Sequence, residues 1–137
     1  FMDGVDTICS LFLQRCKQLQ KKVVHREKEL GIWKSYTWND FYYNVRLISL
    51  GLNELGFLRG DKASILAEDC KEWIYADFAV QCLGGVSTGV YTTDSSEQLL
   101  YQLTDSDSTF LFLDTDEQLD KYLTIAADCP KIKKAIN

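Results

Sequence analysis

Few residues in this chain can do chemistry. Five cysteines stand at 9, 16, 70, 82 and 129, and His25 is the one histidine. An odd, scattered set with no C-x-x-C pair reads as reduced thiols of an intracellular protein. Cys9 and Cys16 are seven apart and share a helix face, a spacing that suits a two-thiol metal site, but four good ligands do not assemble. The cysteines are therefore expected to be small buried hydrophobes. His25 has no sequence neighbour to orient it as a base, and is expected on a strand or at the surface.

The cluster Gly84-Gly85-Val86-Ser87-Thr88-Gly89 invites comparison with a phosphate cradle, because backbone N–H groups at a strand-to-helix turn bind anions. It follows a helix and leads into a strand, the reverse of the order needed, and no Gly-Lys-Ser/Thr follows. Gly84 and Gly85 read instead as a helix stop and a close-packing position. Asp105, Asp107, Asp114, Asp116 and Glu117 suggest a hard-cation site, but the spacing is not that of an EF-hand loop. Capping and the helix dipole explain carboxylates at helix starts. No Ser-His-Asp, paired-carboxylate or Cys-His arrangement can be picked out, so no catalytic, cofactor-binding or metal-ligating residue is assigned.

The elements that would position these residues follow from periodicity. The chain has 137 residues, 46% hydrophobic and 26% charged, with one proline and eight glycines, the composition of a globular domain with a real core. Asp6 is expected to cap a helix from Thr7 to Lys22 with Ile8, Leu11, Phe12, Cys16 and Leu19 on one face. Val23–Arg26 and Ile32–Tyr36 read as a hairpin joined by a five-residue loop, Glu27–Gly31. Thr37-Trp38-Asn39-Asp40 fits a capping box ahead of a long helix through Phe41, Val45, Ile48, Leu52 and Leu55, with Gly56 as its left-handed stop.

From Lys62 onward short apolar runs alternate with helices. Strands are expected at Lys62–Ala67, Val86–Val90 and Thr109–Leu113, with a further one beginning at Ile132. Helices are expected to start at Asp69-Cys70-Lys71-Glu72, Ser95-Ser96-Glu97-Gln98 and Asp114-Thr115-Asp116-Glu117. Connections this short imply right-handed crossovers. The expected fold is α/β: a parallel sheet with flanking helices, preceded by an N-terminal helix and β-hairpin. Trp73 is the expected core anchor of its helix, with the wall of an acyl tunnel as its functional alternative. Tyr91 and Thr92 follow a strand at its C-terminal end, where α/β sheets place ligands, and are the only positions expected near a substrate.

Charge is unevenly spread. The net is −5, with residues 1–36 at +3, 37–90 at −3, 91–128 at −8 and the last nine at +3. An acidic body excludes a generic nucleic-acid binder. No apolar stretch reaches the roughly 20 residues of a bilayer span, and Asp3 and Asp6 stand where a basic leader would be. Arg15, Lys17, Lys21, Lys22, Arg26 and Lys28 form either a solvated helix face with its flank or a contact with a partner or, through the basic first helix, with a membrane surface peripherally.

The run Ile65–Ala79, Ile-Leu-Ala-Glu-Asp-Cys-Lys-Glu-Trp-Ile-Tyr-Ala-Asp-Phe-Ala, followed by Gly84–Thr93, resembles the N-terminal region of adenylate-forming (AMP-binding) enzymes, specifically long-chain acyl-CoA synthetases. Tyr36–Phe41, the Ser95–Tyr101 helix start and Asp116–Lys121 carry the same likeness, which spans nearly the whole chain. Glu68-Asp69-Cys70 departs from it, since many relatives carry an Asn and a Pro-containing or small turn there. The resemblance implies a two-step reaction with ATP, Mg²⁺ and coenzyme A: a fatty-acid carboxylate attacks the α-phosphate to give acyl-adenylate and pyrophosphate, then the thiol displaces AMP. It also implies that the phosphate loop, adenine and ribose contacts and catalytic lysine lie in sequence that this chain does not match.

The chain is thus expected to be an N-terminal fragment of the large adenylation domain, 1–36 a lead-in and 37–137 the alternating layer. Phe1 ahead of Met2 and a C-terminus within a strand agree with a cut or truncated piece. It is expected to be cytoplasmic, inactive alone, without tight cofactor binding, and to dimerise or exchange strands through an unpaired sheet edge. The alternative is an independent α/β interaction module.

Overall fold

The computed structural model describes residues 5–137, so Asp3 of the leader argument lies outside the described residues. The elements follow in the order α1 (Ile8–Leu19), β1 (Val23–Glu29), β2 (Ile32–Thr37), α2 (Trp38–Glu54), β3 (Lys62–Leu66), α3 (Lys71–Cys82), β4 (Val86–Val90), α4 (Ser96–Asp105), β5 (Phe110–Leu113), α5 (Asp116–Leu123), a 3₁₀ turn at Ala126–Asp128 and β6 (Lys134–Ile136). Strands β4, β3, β5 and β6 form one parallel sheet in that spatial order, and β1–β2 is a separate antiparallel hairpin. The expected α/β architecture is the observed one.

Strand β3 explains the layering. Ala63, Ser64, Ile65 and Leu66 are all buried, so both faces of the strand need cover. Because β3 lies between β4 and β5, right-handed crossovers put α3 and α4 on opposite faces. Two apolar clusters result. One joins Phe12, Phe41, Val45, Phe57, Tyr75, Val80 and Phe110; the other joins Leu66, Leu99, Leu103, Leu111, Tyr122 and Ile125. Adjacent strand residues Phe110 and Leu111 serve opposite clusters, as the two-residue period requires. Buried Ser64 is satisfied by the Ser108 hydroxyl at 2.7 Å, which meets Ser106 at 2.8 Å.

Two of the sequence caps form in full. Asp40 N–H donates to Thr37 Oγ1 (3.2 Å) and Thr37 N–H to Asp40 Oδ2 (2.8 Å). Gln98 N–H donates to Ser95 Oγ (3.2 Å) and Ser95 N–H to Gln98 Oε1 (2.8 Å). Gly56 has φ +84° after α2, as a left-handed stop requires.

Four local expectations need correction. Helix α1 is capped by Thr7, whose Oγ1 accepts from Ser10 N–H at 3.1 Å, not by Asp6. It ends at Leu19, short of Lys22, because the carbonyls of Gln20 and Lys22 accept from Asn39 (2.9 Å) and Trp38 (3.1 Å) at the start of α2. The hairpin loop is two residues, not five: β1 continues to Glu29, and Leu30 (φ +47°) and Gly31 (φ +84°) make a turn of type I′ character. Helix α3 takes Cys70 as its N-cap without a side-chain capping bond, so Asp69 does not act as expected.

Gly85 is a close-packing position as the sequence suggested. A Cβ there would stand 2.4 Å from the buried Phe57 ring and 2.8 Å from the Asp61 carbonyl, whereas Gly51, inside α2, has open space. We therefore expect Gly85→Ala to lower the unfolding free energy by about 1–3 kcal/mol. Gly51→Ala should raise it by roughly 0.5–1 kcal/mol. Urea midpoints at constant m-value would measure both changes.

Candidate functional site

Parallel strands β3, β4 and β5 deliver their following loops to one edge of the sheet. Polar contacts lace those loops together. Glu68 N–H donates to Asp114 Oδ2 at 2.8 Å, the Thr92 hydroxyl donates to Glu68, and Lys121 donates to the Thr92 carbonyl at 2.6 Å. Gln118 Nε2 reaches the same carbonyl at 3.4 Å. Asp114 Oδ1 and Gln118 Oε1 are buried without a partner among the described residues. Both lie beside the crevice between these loops, and a buried acceptor without a partner calls for a donor. The crevice lies where the strand order reverses, the position at which open α/β sheets bind ligands.

Tyr91 and Thr92, the residues expected near a substrate, sit on this edge. Tyr91 is 78% exposed, and both border a cavity of about 400 Å³ together with Glu68, Trp73 and Gly89. Asp114 and Gln118 were not singled out for this place from sequence. The Asp114 carboxylate was read as a cap, but Thr115 fills that role by accepting from Gln118 N–H at 3.3 Å. Its position directly after an apolar strand was the available signal.

Trp73 is not the core anchor. It is only part-buried and belongs to neither apolar cluster; Tyr75, Ala76, Ala79 and Val80 are the buried face of α3. The first turn of α3 stands over the strand ends, and an added Cβ on Gly89 would lie 3.2 Å from the indole. Trp73 therefore borders both the 400 Å³ cavity and a neighbouring one of about 540 Å³ walled by Ile48, Ile65, Ala76, Phe112 and Ile136. Its place is closer to the cavity-wall alternative.

The hairpin reaches the same turn of α3. Lys71 Nζ donates to Glu27 Oε2 at 2.5 Å, pairs with Glu72 at 2.9 Å and lies 3.8 Å from Glu29. Burial opposes its charge, but the carboxylate hydrogen bonds outweigh that and raise its pKa. The His25 ring stacks on Tyr36 (5.0 Å between centroids), and its Nε2 meets Tyr75 OH at 3.1 Å. Burial lowers the pKa of His25, against an opposing pull from Glu27, and pushes Tyr75 up to about 12. Cys70 shares a small cleft with His25, yet burial raises its thiol pKa. A raised thiol beside a lowered imidazole is the reverse of an activated Cys-His pair.

The remaining candidates take structural places. Cys16 and Cys129 are buried, Cys9 and Cys70 part-buried and Cys82 exposed, so the buried-hydrophobe expectation fits only some of them. Among the described residues no three His, Cys, Asp or Glu side chains converge as a metal site. Asp107 pairs with Lys131 at 2.5 Å and Lys62 at 3.7 Å. Gly84, with φ +76°, follows α3 rather than facing a helix start. The basic set is also redistributed: Arg15 and Lys17 lie on α1, Lys21 and Lys22 follow it, and Arg26 and Lys28 are on β1.

Comparison with known proteins bears on this edge. Residues 12–136 match the family model described as AMP-binding enzyme. The chain is 26% identical over 131 residues to the long-chain-fatty-acid–CoA ligase FadD15 of Mycobacterium tuberculosis, covering 96% of this chain and 22% of that protein. It is 31% identical over 104 residues to the long-chain-fatty-acid–CoA ligase ACSBG1 of Rattus norvegicus, covering 76% of this chain and 14% of the relative. The chain thus spans at most about a fifth of the length of these relatives. In fold it resembles the N-terminal domain of FACL13 from Mycobacterium tuberculosis, with TM-score 0.86, 16% identity and coverage of 96% of this chain and 34% of that one. It also resembles the anthranilate CoA ligase AuaEII, solved with anthranoyl-AMP, with TM-score 0.84, 18% identity and coverage of 93% and 24%.

The lowered pKa of His25 sets a pH dependence. Its folded value lies below the ordinary 6.5, so as pH falls through that window the unfolded chain binds a proton that the folded chain refuses. Unfolding free energy should therefore decline between pH 7.5 and 5, above the range where carboxylates titrate. Denaturant titrations at each pH should show this slope in the wild type and a flattened one in His25→Gln; an unchanged slope would assign the effect elsewhere.

Proposed function

This chain belongs to the AMP-binding enzyme family, and from that premise we propose that it forms the N-terminal portion of an ATP-dependent long-chain fatty-acid CoA ligase. The observation that carries the proposal is the match to long-chain-fatty-acid–CoA ligases over 96% of the chain. In this reading the whole ligase joins a fatty carboxylate to the α-phosphate of ATP with release of pyrophosphate, and coenzyme A then displaces AMP. Mg²⁺, bound in the whole ligase, would supply charge neutralisation at the phosphates. Charge stabilisation at the phosphates carries the rate in such chemistry.

The role proposed for these residues is architectural, without adenylation of their own. Tyr91 and Thr92, with Trp73 behind them, border the substrate at the strand-end cavity. The protein is placed in the cytoplasm in this reading, with the peripheral membrane contact that the sequence assigns to its basic first helix. The second reading, an interaction module, draws on the outer edge of β6, which has no strand beside it among the described residues. That edge is proposed to support a homodimer or strand exchange.

Two measurements test the proposal. Fatty-acid-dependent ATP–pyrophosphate exchange should appear with the full ligase and be absent with residues 1–137 alone; exchange by the 137 residues would place the reacting groups here. Sedimentation velocity should show a concentration-dependent dimer of the 137 residues, whereas a monomer at high concentration would remove the β6 pairing.

A further inference from the structure

The ladder of the β1–β2 hairpin sorts its charges by face. Directly opposed residues share a face, so His25/Tyr36, Glu27/Lys34 and Glu29/Ile32 point one way and Arg26/Ser35 and Lys28/Trp33 the other. The first face turns toward α3: Glu27 is held by Lys71, and Glu29 by Lys34 and the Tyr36 hydroxyl. The outer face carries Arg26 and Lys28, free of ion pairs among the described residues, and no carboxylate. Segregation of this kind leaves a cationic surface on a chain whose net charge is −5.

The tip is apolar and unsheltered. Leu30 is 103% exposed, Ile32 69% and Trp33 65%. Leu30 also occupies a φ of +47°, where Asn, Asp or Gly is favoured, so its presence is not explained by the turn. Read from the tip toward the base, the outer face presents Trp33 beside Lys28 and then Arg26 below Leu30 of the turn, while Ile32 lies on the opposite face across from Glu29. Trp33 stands about 7 Å below the tip at the usual strand rise. Apolar, aromatic, cationic is the depth order of a bilayer leaflet, in which amphipathic elements sink roughly 5–10 Å and indoles settle at headgroup level. A medium that closes around a convex turn, as lipid does, can take up a projecting leucine. The strongly acidic remainder of the chain, −8 over residues 91–128, would be repelled by an anionic surface and so turns this face toward it.

We propose that the β1–β2 hairpin is the membrane-docking element of this protein: Leu30 and Trp33 enter an anionic leaflet while Arg26 and Lys28 meet its phosphates. The inference rests on the peripheral contact proposed above and moves it from α1 to the hairpin. Its failure is distinct from that of the ligase reading, which stands on pyrophosphate exchange.

Co-sedimentation with phosphatidylcholine vesicles, with and without phosphatidylserine, tests it. Wild type should bind the anionic vesicles and be released by salt. Leu30→Asn with Trp33→Thr should weaken binding at least tenfold; Asn suits the turn and Thr the strand, so an unchanged or higher thermal midpoint separates docking from folding. Arg26→Gln with Lys28→Gln should cost about 30-fold. Lys17→Gln with Lys21→Gln should change binding less than twofold. Absence of wild-type binding, hairpin variants that bind like wild type, or loss of binding only in the Lys17/Lys21 variant would overturn the proposal. So would a lipid-free dimer that the hairpin substitutions dissociate, because the tip would then serve a second copy of the chain.

Discussion

Burial of β3 on both faces is the constraint from which the rest of the structure follows. A parallel strand flanked by β4 and β5 cannot leave either face to water, so the chain must cross over twice, once above and once below. Those crossovers are α3 and α4, and their apolar faces complete the two clusters. The same geometry carries every following loop to one edge of the sheet. There the backbone of Glu68 meets Asp114, and the carbonyl of Thr92 meets Lys121. An edge lined with loops and cavities is thus a by-product of covering one apolar strand.

One turn of α3 links that edge to the hairpin. Lys71 gathers Glu27, Glu29 and Glu72, and Trp73, two residues on, borders the strand-end cavities. The hairpin is held by charge on its inner face and by the His25–Tyr75 contact, not by continuation of the main sheet. Its outer face is left to other work. Because the anchor and the cavity wall share a helical turn, the orientation of the hairpin and the shape of the edge are set together.

Chemistry at the edge is that of a wall. The ionisable groups brought together around α3 neutralise one another, and burial drives the Cys70 thiol and the His25 imidazole away from reactive states. What the edge offers is shape, an exposed Tyr91 and two acceptors, Asp114 Oδ1 and Gln118 Oε1, that want donors. Such features shape a cleft.

The amino-acid sequence by itself determined what short-range physics can determine. Thr37 with Asp40 and Ser95 with Gln98 form their caps because each bond spans three residues. The apolar runs at β3, β4 and β5 marked the sheet because no charged residue interrupts any of them after Lys62. Only the folded structure decided the length of the hairpin, since Glu27–Glu29 carry no apolar strand period and extend by pairing with Ile32–Lys34. It alone moved Trp73 from core to cavity wall and brought Asp114 to Glu68, contacts set by where strands end relative to a helix. Periodicity reports which face of an element is apolar; what stands opposite that face depends on residues dozens of positions away.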